Sequence, residues 1–164
     1  MTKFISFFFI LFLFQQAKSQ NSQDIRKKQF NTENGIAIQG YDAVAYFKQG
    51  KAVKGKKELA VNNQGVIYYF SSAENKQEFL QNAAKYEPEY GGWCAYAMGA
   101  NGEKVEIDPA TFKIINGKLY LFYNKFFNNT LKTWNKEESN LKMKADQNWG
   151  KIVKWLNQFG RLVD

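Results

Sequence analysis

Hydrophobic and polar residues alternate along several short stretches, which is the pattern of half-buried β-strands. Six stretches show it: residues 35–39, 58–62, 66–70, 104–107, 112–115 and 118–123. Asn62-Asn63-Gln64-Gly65 separates the second stretch from the third, and Asn116-Gly117 separates the last two. Asn and Gly supply the positive φ that a tight hairpin needs, so the sequence predicts two β-hairpins.

Other stretches place apolar residues at helical spacing. The predicted helices and helical turns are residues 43–47, 73–81, 82–86, 93–98, 126–134 and 137–156. Asp42 can cap the first of these, and Ser71 or Ser72 can cap the second. The pattern therefore predicts an α+β fold, in which a small antiparallel sheet packs with short helices and a C-terminal helical segment in a single domain.

The N-terminus has the features of a secretory signal peptide. Lys3 precedes an apolar run of eleven residues, Phe4 to Phe14, and Ala17 and Ser19 have the spacing that signal peptidase prefers. The run is shorter than the roughly 20 residues that span a bilayer. We expect cleavage near Ser19-Gln20 and a periplasmic or secreted protein without a membrane span. An uncleaved N-terminal anchor is the alternative.

No repeat, low-complexity stretch or linker divides the rest of the chain. Beyond a signal peptide at residues 1–19, the pattern predicts a flexible lead-in over residues 20–35. One domain then covers residues 36–149, and residues 150–164 form a C-terminal helical extension.

Charge and composition disfavour two classes of function, nucleic-acid binding and hydrolysis by a catalytic triad. The chain has 23 Lys and Arg against 15 Asp and Glu, and it lacks a cluster of arginines or an RNA-binding motif, so no nucleic-acid partner is expected. Its densest basic group is interpreted as a solvated face: Lys51, Lys54, Lys56 and Lys57. Histidine is absent, which removes the commonest metal ligand and general base and disfavours a hydrolase triad.

Cys94 is the only cysteine, and it follows a double glycine in the segment Tyr90-Gly91-Gly92-Trp93-Cys94-Ala95-Tyr96. An unpaired thiol is unusual in an exported protein. If Trp93 or Cys94 begins a helix, free backbone N–H groups and the helix dipole would stabilise a thiolate. The alternative is that Cys94 is a small buried core residue.

A thiolate at Cys94 could bind a soft metal, with Cu(I) the best match, or perform redox chemistry with an external thiol or a partner protein. In a metal site, Met98 or Asp42 would provide a further ligand beside Cys94. In a redox site, Tyr41 or Tyr96 would position the substrate of Cys94. One cysteine without histidine cannot build a structural zinc site of N and S ligands. Alternatively, Met98 is a core residue and Asp42 is a helix cap. The sequence leaves the metal, the substrate and the oligomeric state open.

An aromatic cluster surrounds the thiol and predicts a pocket. The cluster consists of Tyr86, Tyr90, Trp93 and Tyr96, and packed core is its alternative role. The residues predicted for the pocket are Tyr41, Asp42, Tyr90, Gly91, Gly92, Trp93 and Tyr96. This pocket supports a second hypothesis from another class: a non-catalytic module that binds a small ligand or a partner, with Cys94 buried as core.

The blocks along the chain resemble those of exported bacterial YHS-domain proteins. Gly40-Tyr41-Asp42-Ala43-Val44-Ala45-Tyr46-Phe47 is similar to the GYDPVAYF opening of that family. Further matching blocks follow in order at residues 69–75, 85–95, 108–109, 117–121, 134 and 145–149. The resemblance spans roughly Ile36 to Trp149, which is nearly the whole predicted domain.

The resemblance implies a role in metal handling, since the wider YHS group is associated with it, for example beside copper-transporting ATPases. It also implies that Cys94 is chemically used, because the exported subfamily looks like one in which some members carry selenocysteine there. The triplet that names the wider group corresponds to Tyr69-Phe70-Ser71, which has no histidine.

Overall fold

The computed structural model describes residues 23–159, and the predicted signal peptide, its cleavage point and residues 160–164 lie outside them. The fold is α+β, as predicted. The strands are β1 Thr32–Glu33, β2 Ile36–Ala37, β3 Lys56–Asn63, β4 Val66–Phe70, β5 Asp108–Ile115, β6 Lys118–Phe122, β7 Asn124–Lys125 and β8 Asn128–Asn129. The helices are α1 at residues 23–29, α2 Ala45–Gln49, α3 Ala73–Gln81, α4 Ala83–Tyr86, α5 Ala95–Ala100, α6 Thr130–Trp134 and α7 Glu138–Phe159.

The strands form one small sheet and two separate hairpins. The sheet has the order β1-β2-β4-β3, in which β2 pairs with β4 in parallel and the other pairs are antiparallel. β5 pairs with β6, and β7 pairs with β8, both antiparallel. The two predicted hairpins are confirmed, since β3 pairs with β4 across Gln64-Gly65 and β5 with β6 across Asn116-Gly117.

Strand β6 separates two hydrophobic cores. Its side chains alternate, as those of a strand do: Leu119 and Leu121 join the core formed with β4, α2 and α3, whereas Tyr120 and Phe122 join the core formed with α5, α6 and α7. Every one of these four side chains is fully buried. This double-sided burial makes β6 the central strand of the molecule.

Several caps and boundaries agree with the sequence. β4 and α3 have the predicted bounds, and the Ser72 hydroxyl caps α3 by accepting from the Asn75 N–H at 3.2 Å. The long C-terminal helix, predicted for residues 137–156, runs from Glu138 to Phe159 and includes the start of the predicted extension.

Three stretches differ from the sequence prediction. Residues 23–29 are helical and Thr32–Glu33 pairs with β2, where a flexible lead-in over 20–35 was expected. Residues 104–107, predicted as a strand, have no ladder partner, and the Val105 carbonyl accepts instead from the backbone N–H of Cys94 at 2.9 Å. The predicted helix over 126–134 is confined to Thr130–Trp134, because residues 124–129 form the β7–β8 hairpin.

None of the helices within residues 23–159 is long and apolar enough to cross a membrane.

Candidate functional site

Cys94 lies at the N-terminal boundary of α5 and is fully buried. Its sulfur does not cap the helix. The Tyr123 N–H donates to Cys94 Sγ at 3.3 Å, and Thr130 Oγ1 lies 3.5 Å from the sulfur. The Thr130 hydroxyl itself donates to the Tyr123 carbonyl at 2.8 Å, so its oxygen can accept the Cys94 S–H. Both hydrogen-bonding roles of the thiol are thereby filled from within the chain.

The partners of the sulfur close the base of the β7–β8 hairpin. Tyr123 immediately precedes β7, and Thr130 immediately follows β8. A second bond, from the Thr130 N–H to the Tyr123 carbonyl at 3.1 Å, holds the two ends together. The backbone of Cys94 also pairs with Leu121 of β6 in an isolated parallel bridge. The thiol is therefore enclosed at the junction of β6, α5 and this hairpin.

The turn that precedes Cys94 contacts the N-terminal segment of the chain. Tyr90, Gly91 and Gly92 all have positive φ, and the carbonyls of the two glycines accept from the backbone and side-chain N–H groups of Asn31 at 2.8 and 3.1 Å. A Cβ on Gly91 would lie 3.1 Å from the Gln29 carbonyl oxygen. The double glycine thus allows the close approach of a neighbouring backbone.

The aromatic residues beside this turn are packed or hydrogen-bonded within the fold. The Trp93 indole N–H donates to the Gln29 carbonyl at 2.7 Å, and half-buried Tyr96 packs against both cores. The Tyr90 hydroxyl donates to Asp146 at 2.8 Å. Burial, together with this hydrogen bond to a carboxylate, raises the pKa of Tyr90 far above its usual value, so Tyr90 is a neutral donor.

Asp42 is completely buried and its carboxylate is saturated with donors. Oδ1 accepts from the N–H groups of Val44 and Ala45 at 2.9 and 3.2 Å, which caps the turn into α2. Oδ2 accepts from the Ser71 N–H, the Ser71 hydroxyl and the Asn75 amide at 2.8, 2.6 and 2.7 Å. These bonds connect the first two motif blocks of the sequence.

Met98 is buried in the second core with Tyr120, Phe122 and Trp134, whereas Cys94 belongs to the first core. The structure therefore places the three predicted metal ligands in separate environments: Cys94 at the hairpin base, Met98 among aromatic rings and Asp42 among backbone donors. Residues 23–159 contain no group of three or more His, Cys, Asp or Glu side chains that could hold a metal ion.

An open cavity, into which several polar groups converge, lies beside residues 40–47, the first motif block. It has a volume of about 390 Å³ and is lined by Glu33, Asn34, Ile36, Gln39, Gly40, Lys54, Gly55, Lys57 and Tyr69. Of the residues predicted for a pocket, Tyr41 is its neighbour: Tyr41 pairs with Lys54 in an antiparallel bridge, and the Lys54 ammonium lies 4.6 Å from the centre of its ring. Tyr90, Gly91, Gly92 and Trp93 do not line this cavity.

Two glycines allow the cavity walls to approach Tyr69. A Cβ on Gly55 would lie 2.5 Å from the Tyr69 carbonyl carbon, and one on Gly40 would lie 3.2 Å from the Tyr69 ring. The Gly55 N–H donates to the Gly40 carbonyl at 2.9 Å and joins the two walls. Tyr69 and the glycines thus form a tightly built floor.

Lysines give the cavity rim a positive charge. Lys54 and Lys57 are both exposed, against the single carboxylate of Glu33. The Lys54 ammonium donates to the Gln39 carbonyl at 2.6 Å, and the Gln39 amide donates to the Ile107 carbonyl at 3.0 Å, so this rim is anchored to the fold. A lining that includes one aromatic ring and two cations suits a small ligand with a negative charge.

A second cavity, of about 410 Å³, lies against the C-terminal helix and is lined by Lys104, Lys151, Ile152 and Trp155. Burial lowers the pKa of Lys104, whose ammonium donates to the Lys28 carbonyl at 2.7 Å. Among the described residues only the two lysines bring polar groups to this cavity, so it is the weaker candidate for a specific ligand.

Sequence reasoning missed Gln39, Lys54, Lys57 and Tyr69 as cavity residues. The signal was present in the lysine-rich segment 51–57 with its Gly55, which was interpreted as a solvated basic face. Its distance in sequence from Tyr69 hid the cavity, because only the β3–β4 pairing brings the two segments together.

No family model, curated protein or solved structure matches the chain.

Proposed function

We propose that the protein is a non-catalytic binding module of the exported YHS-domain type, in which Cys94 is a core residue. The single observation that carries this proposal is the enclosure of Cys94: its sulfur is fully buried and bonded to Tyr123 and Thr130. A reactive thiol needs a path to its substrate, and a buried structural one does not.

The family part of this proposal is supported by how the motif blocks meet. Asp42 of the first block accepts hydrogen bonds from Ser71 and Asn75 of the second. Export through a signal peptide at residues 1–19 remains the expectation from the N-terminal pattern.

The proposed ligand is a small organic anion with a planar group, bound in the cavity above Tyr69. Its anionic group would lie near Lys54 and Lys57, and its planar part would lie against the Tyr69 ring and the backbone of Gly40 and Gly55. The volume of about 390 Å³ lies within the usual range for small-molecule sites.

Calorimetric titration with benzoate and 4-hydroxybenzoate, with benzyl alcohol as the neutral probe, tests this proposal. We expect at least one anion to bind and the alcohol to bind more weakly. Lys57→Glu reverses one charge at the rim and should weaken anion binding by about tenfold. Lys144→Glu, an equal charge change on exposed α7 surface, is the matched control and should have little effect. Equal losses in both variants, or no binding of either anion, would contradict the proposed site.

A functional thiol, binding Cu(I) or acting in redox chemistry, is the second candidate. The specific observation in its favour is that the Tyr123 N–H donates to Cys94 Sγ and would stabilise a thiolate there. The Thr130 hydroxyl would add a second donor only by giving up its bond to the Tyr123 carbonyl. This function would require the base of the β7–β8 hairpin to open and admit the metal or the substrate. Alkylation of Cys94 under native conditions separates the two candidates.

A further inference from the structure

The tip of the β7–β8 hairpin presents two phenylalanine rings to solvent. Phe126 is 90% exposed and Phe127 is 110% exposed. Among the side chains whose exposure the structure describes, the other exposed large apolar ones are Leu80, Met143 and Trp155, at 53–56%. Adjacent apolar rings that are fully hydrated are unfavourable in water, so this pair is an unusual feature of the surface.

The backbone of the tip is equally unusual. Four hairpins of the fold have two-residue turns with positive φ at both positions, and three of them place glycine second: Asn34-Gly35, Gln64-Gly65 and Asn116-Gly117. The fourth is Phe126-Phe127, with φ of 51° and 63°. Bulky side chains are strained in this region, whereas Asn-Gly adopts it readily. The phenylalanines thus make the turn less stable and expose apolar surface to water. Because they do not stabilise the fold, they indicate a role in binding something outside the protein.

The sequence around the tip is rich in lysine. From Pro109 to Lys136 it has five lysines and no acidic residue, with Asp108 and Glu137 directly flanking this stretch. Lys113 and Lys118 are paired with Glu138 and Glu89. The other three, Lys125, Lys132 and Lys136, are exposed and form no ion pair with any residue of the described part of the chain.

These features fit a lipid surface better than a protein partner. A stable protein interface usually buries about 800 Å² on each side. The other exposed large apolar side chains described lie on other elements, Leu80 on α3 and Met143 and Trp155 on α7, and the hairpin itself offers two rings. Binding to an anionic bilayer requires apolar side chains that insert into the interface and cations that are attracted to the headgroups. The two phenylalanine rings provide the first, and the lysines provide the second.

We propose that Phe126 and Phe127 dock the protein on anionic membranes, with both rings in the headgroup region and the lysines at residues 125, 132 and 136 near the lipid charges. This proposal is independent of the small-ligand cavity. It also does not depend on whether Cys94 is reactive.

Sedimentation with vesicles tests the docking. The full chain is mixed with vesicles of phosphatidylglycerol and phosphatidylcholine, or of phosphatidylcholine alone. The double variant Phe126→Asn with Phe127→Gly installs the turn residues of the β5–β6 hairpin, so it should fold normally. We expect it to lose at least about tenfold in affinity for the anionic vesicles. Leu80→Asn, which removes an exposed apolar side chain from α3, is the matched control and should bind as the native chain does.

Because the apolar run Phe4 to Phe14 could itself bind lipid, all chains are compared with the same N-terminus, verified by mass spectrometry. Equal binding of the native chain and the double variant, or native binding that does not require phosphatidylglycerol, would overturn the proposal. Absence of vesicle binding would also overturn it. If the native chain instead forms dimers that the double variant lacks, the tip would be an interface between two copies.

Discussion

At the residue scale, Asp42 shows how one buried carboxylate can organise two sequence motifs. It accepts from the turn into α2 and from Ser71 and Asn75 at the start of α3. A carboxylate with donors at both oxygens is a structural anion, since its lone pairs are already used. The residue that the sequence suggested as a supplementary metal ligand is therefore best interpreted as a helix cap and a tether.

Replacement of Asp42 by Asn tests this interpretation. The amide would turn an N–H₂ group toward the donors of Ser71 and Asn75, so we expect the free energy of unfolding to fall by about 3 kcal/mol. Asp24→Asn is the matched control, because the Asp24 side chain is 50% exposed and its nearest cation, Lys27, lies 3.8 Å away. Its effect should stay below about 0.5 kcal/mol in denaturant melts. Equal effects of the two substitutions would contradict the tethering role of Asp42.

At the element scale, the closest helix packing is between α5 and α7. Gly99 lies within α5, and a Cβ there would lie 2.4 Å from the Leu141 carbonyl oxygen. Gly150 lies within α7, where a Cβ would meet nothing within 4 Å. Both glycines thus have a helical backbone conformation, but only Gly99 is packed closely against a neighbouring helix.

This pair gives two substitutions with opposite expected signs. Gly150→Ala should raise the free energy of unfolding by about 0.5–1 kcal/mol, because alanine has the better helix propensity. Gly99→Ala should lower it by about 1–3 kcal/mol, because its methyl group forces α5 away from α7. Thermal and denaturant melts of both variants measure the difference. A stabilising Gly99→Ala would contradict the close approach of the two helices.

The elements that the sequence predicts well are those whose local chemistry agrees with their tertiary contacts. Gln64-Gly65 and Asn116-Gly117 are favourable turns, and Ser72 is a favourable cap, so each could be recognised from neighbouring residues alone. The β7–β8 hairpin was missed because Phe126-Phe127 has the composition of a helix interior and none of the usual turn residues. Residues 104–107 alternate in polarity, but the Val105 carbonyl accepts from Cys94 and the Ile107 carbonyl from the Gln39 side chain, in place of a strand partner.

At the scale of the whole molecule, the site depends on contacts between distant segments. Tyr123 and Thr130 enclose Cys94 from 29 and 36 residues away. The cavity joins Gly40, Gly55 and Tyr69, which lie in three separate segments of the chain. The sequence correctly marks Cys94, Asp42 and the glycines as unusual positions, but their partners follow from the fold. Local patterns could therefore predict where chemistry-bearing residues lie, and not whether solvent reaches them.

The accessibility of Cys94 tests the account most directly. The alkylation rate of Cys94 in the full chain is measured against denaturant concentration, with and without Cu(I), beside global unfolding. Leu80→Cys in a Cys94→Ala background supplies the rate of an exposed thiol. We predict that native Cys94 reacts only in proportion to the globally unfolded fraction, and that Cu(I) does not protect it. Native alkylation at a rate independent of denaturant, or blocked by stoichiometric Cu(I), would contradict the core role of Cys94 and favour a functional thiol.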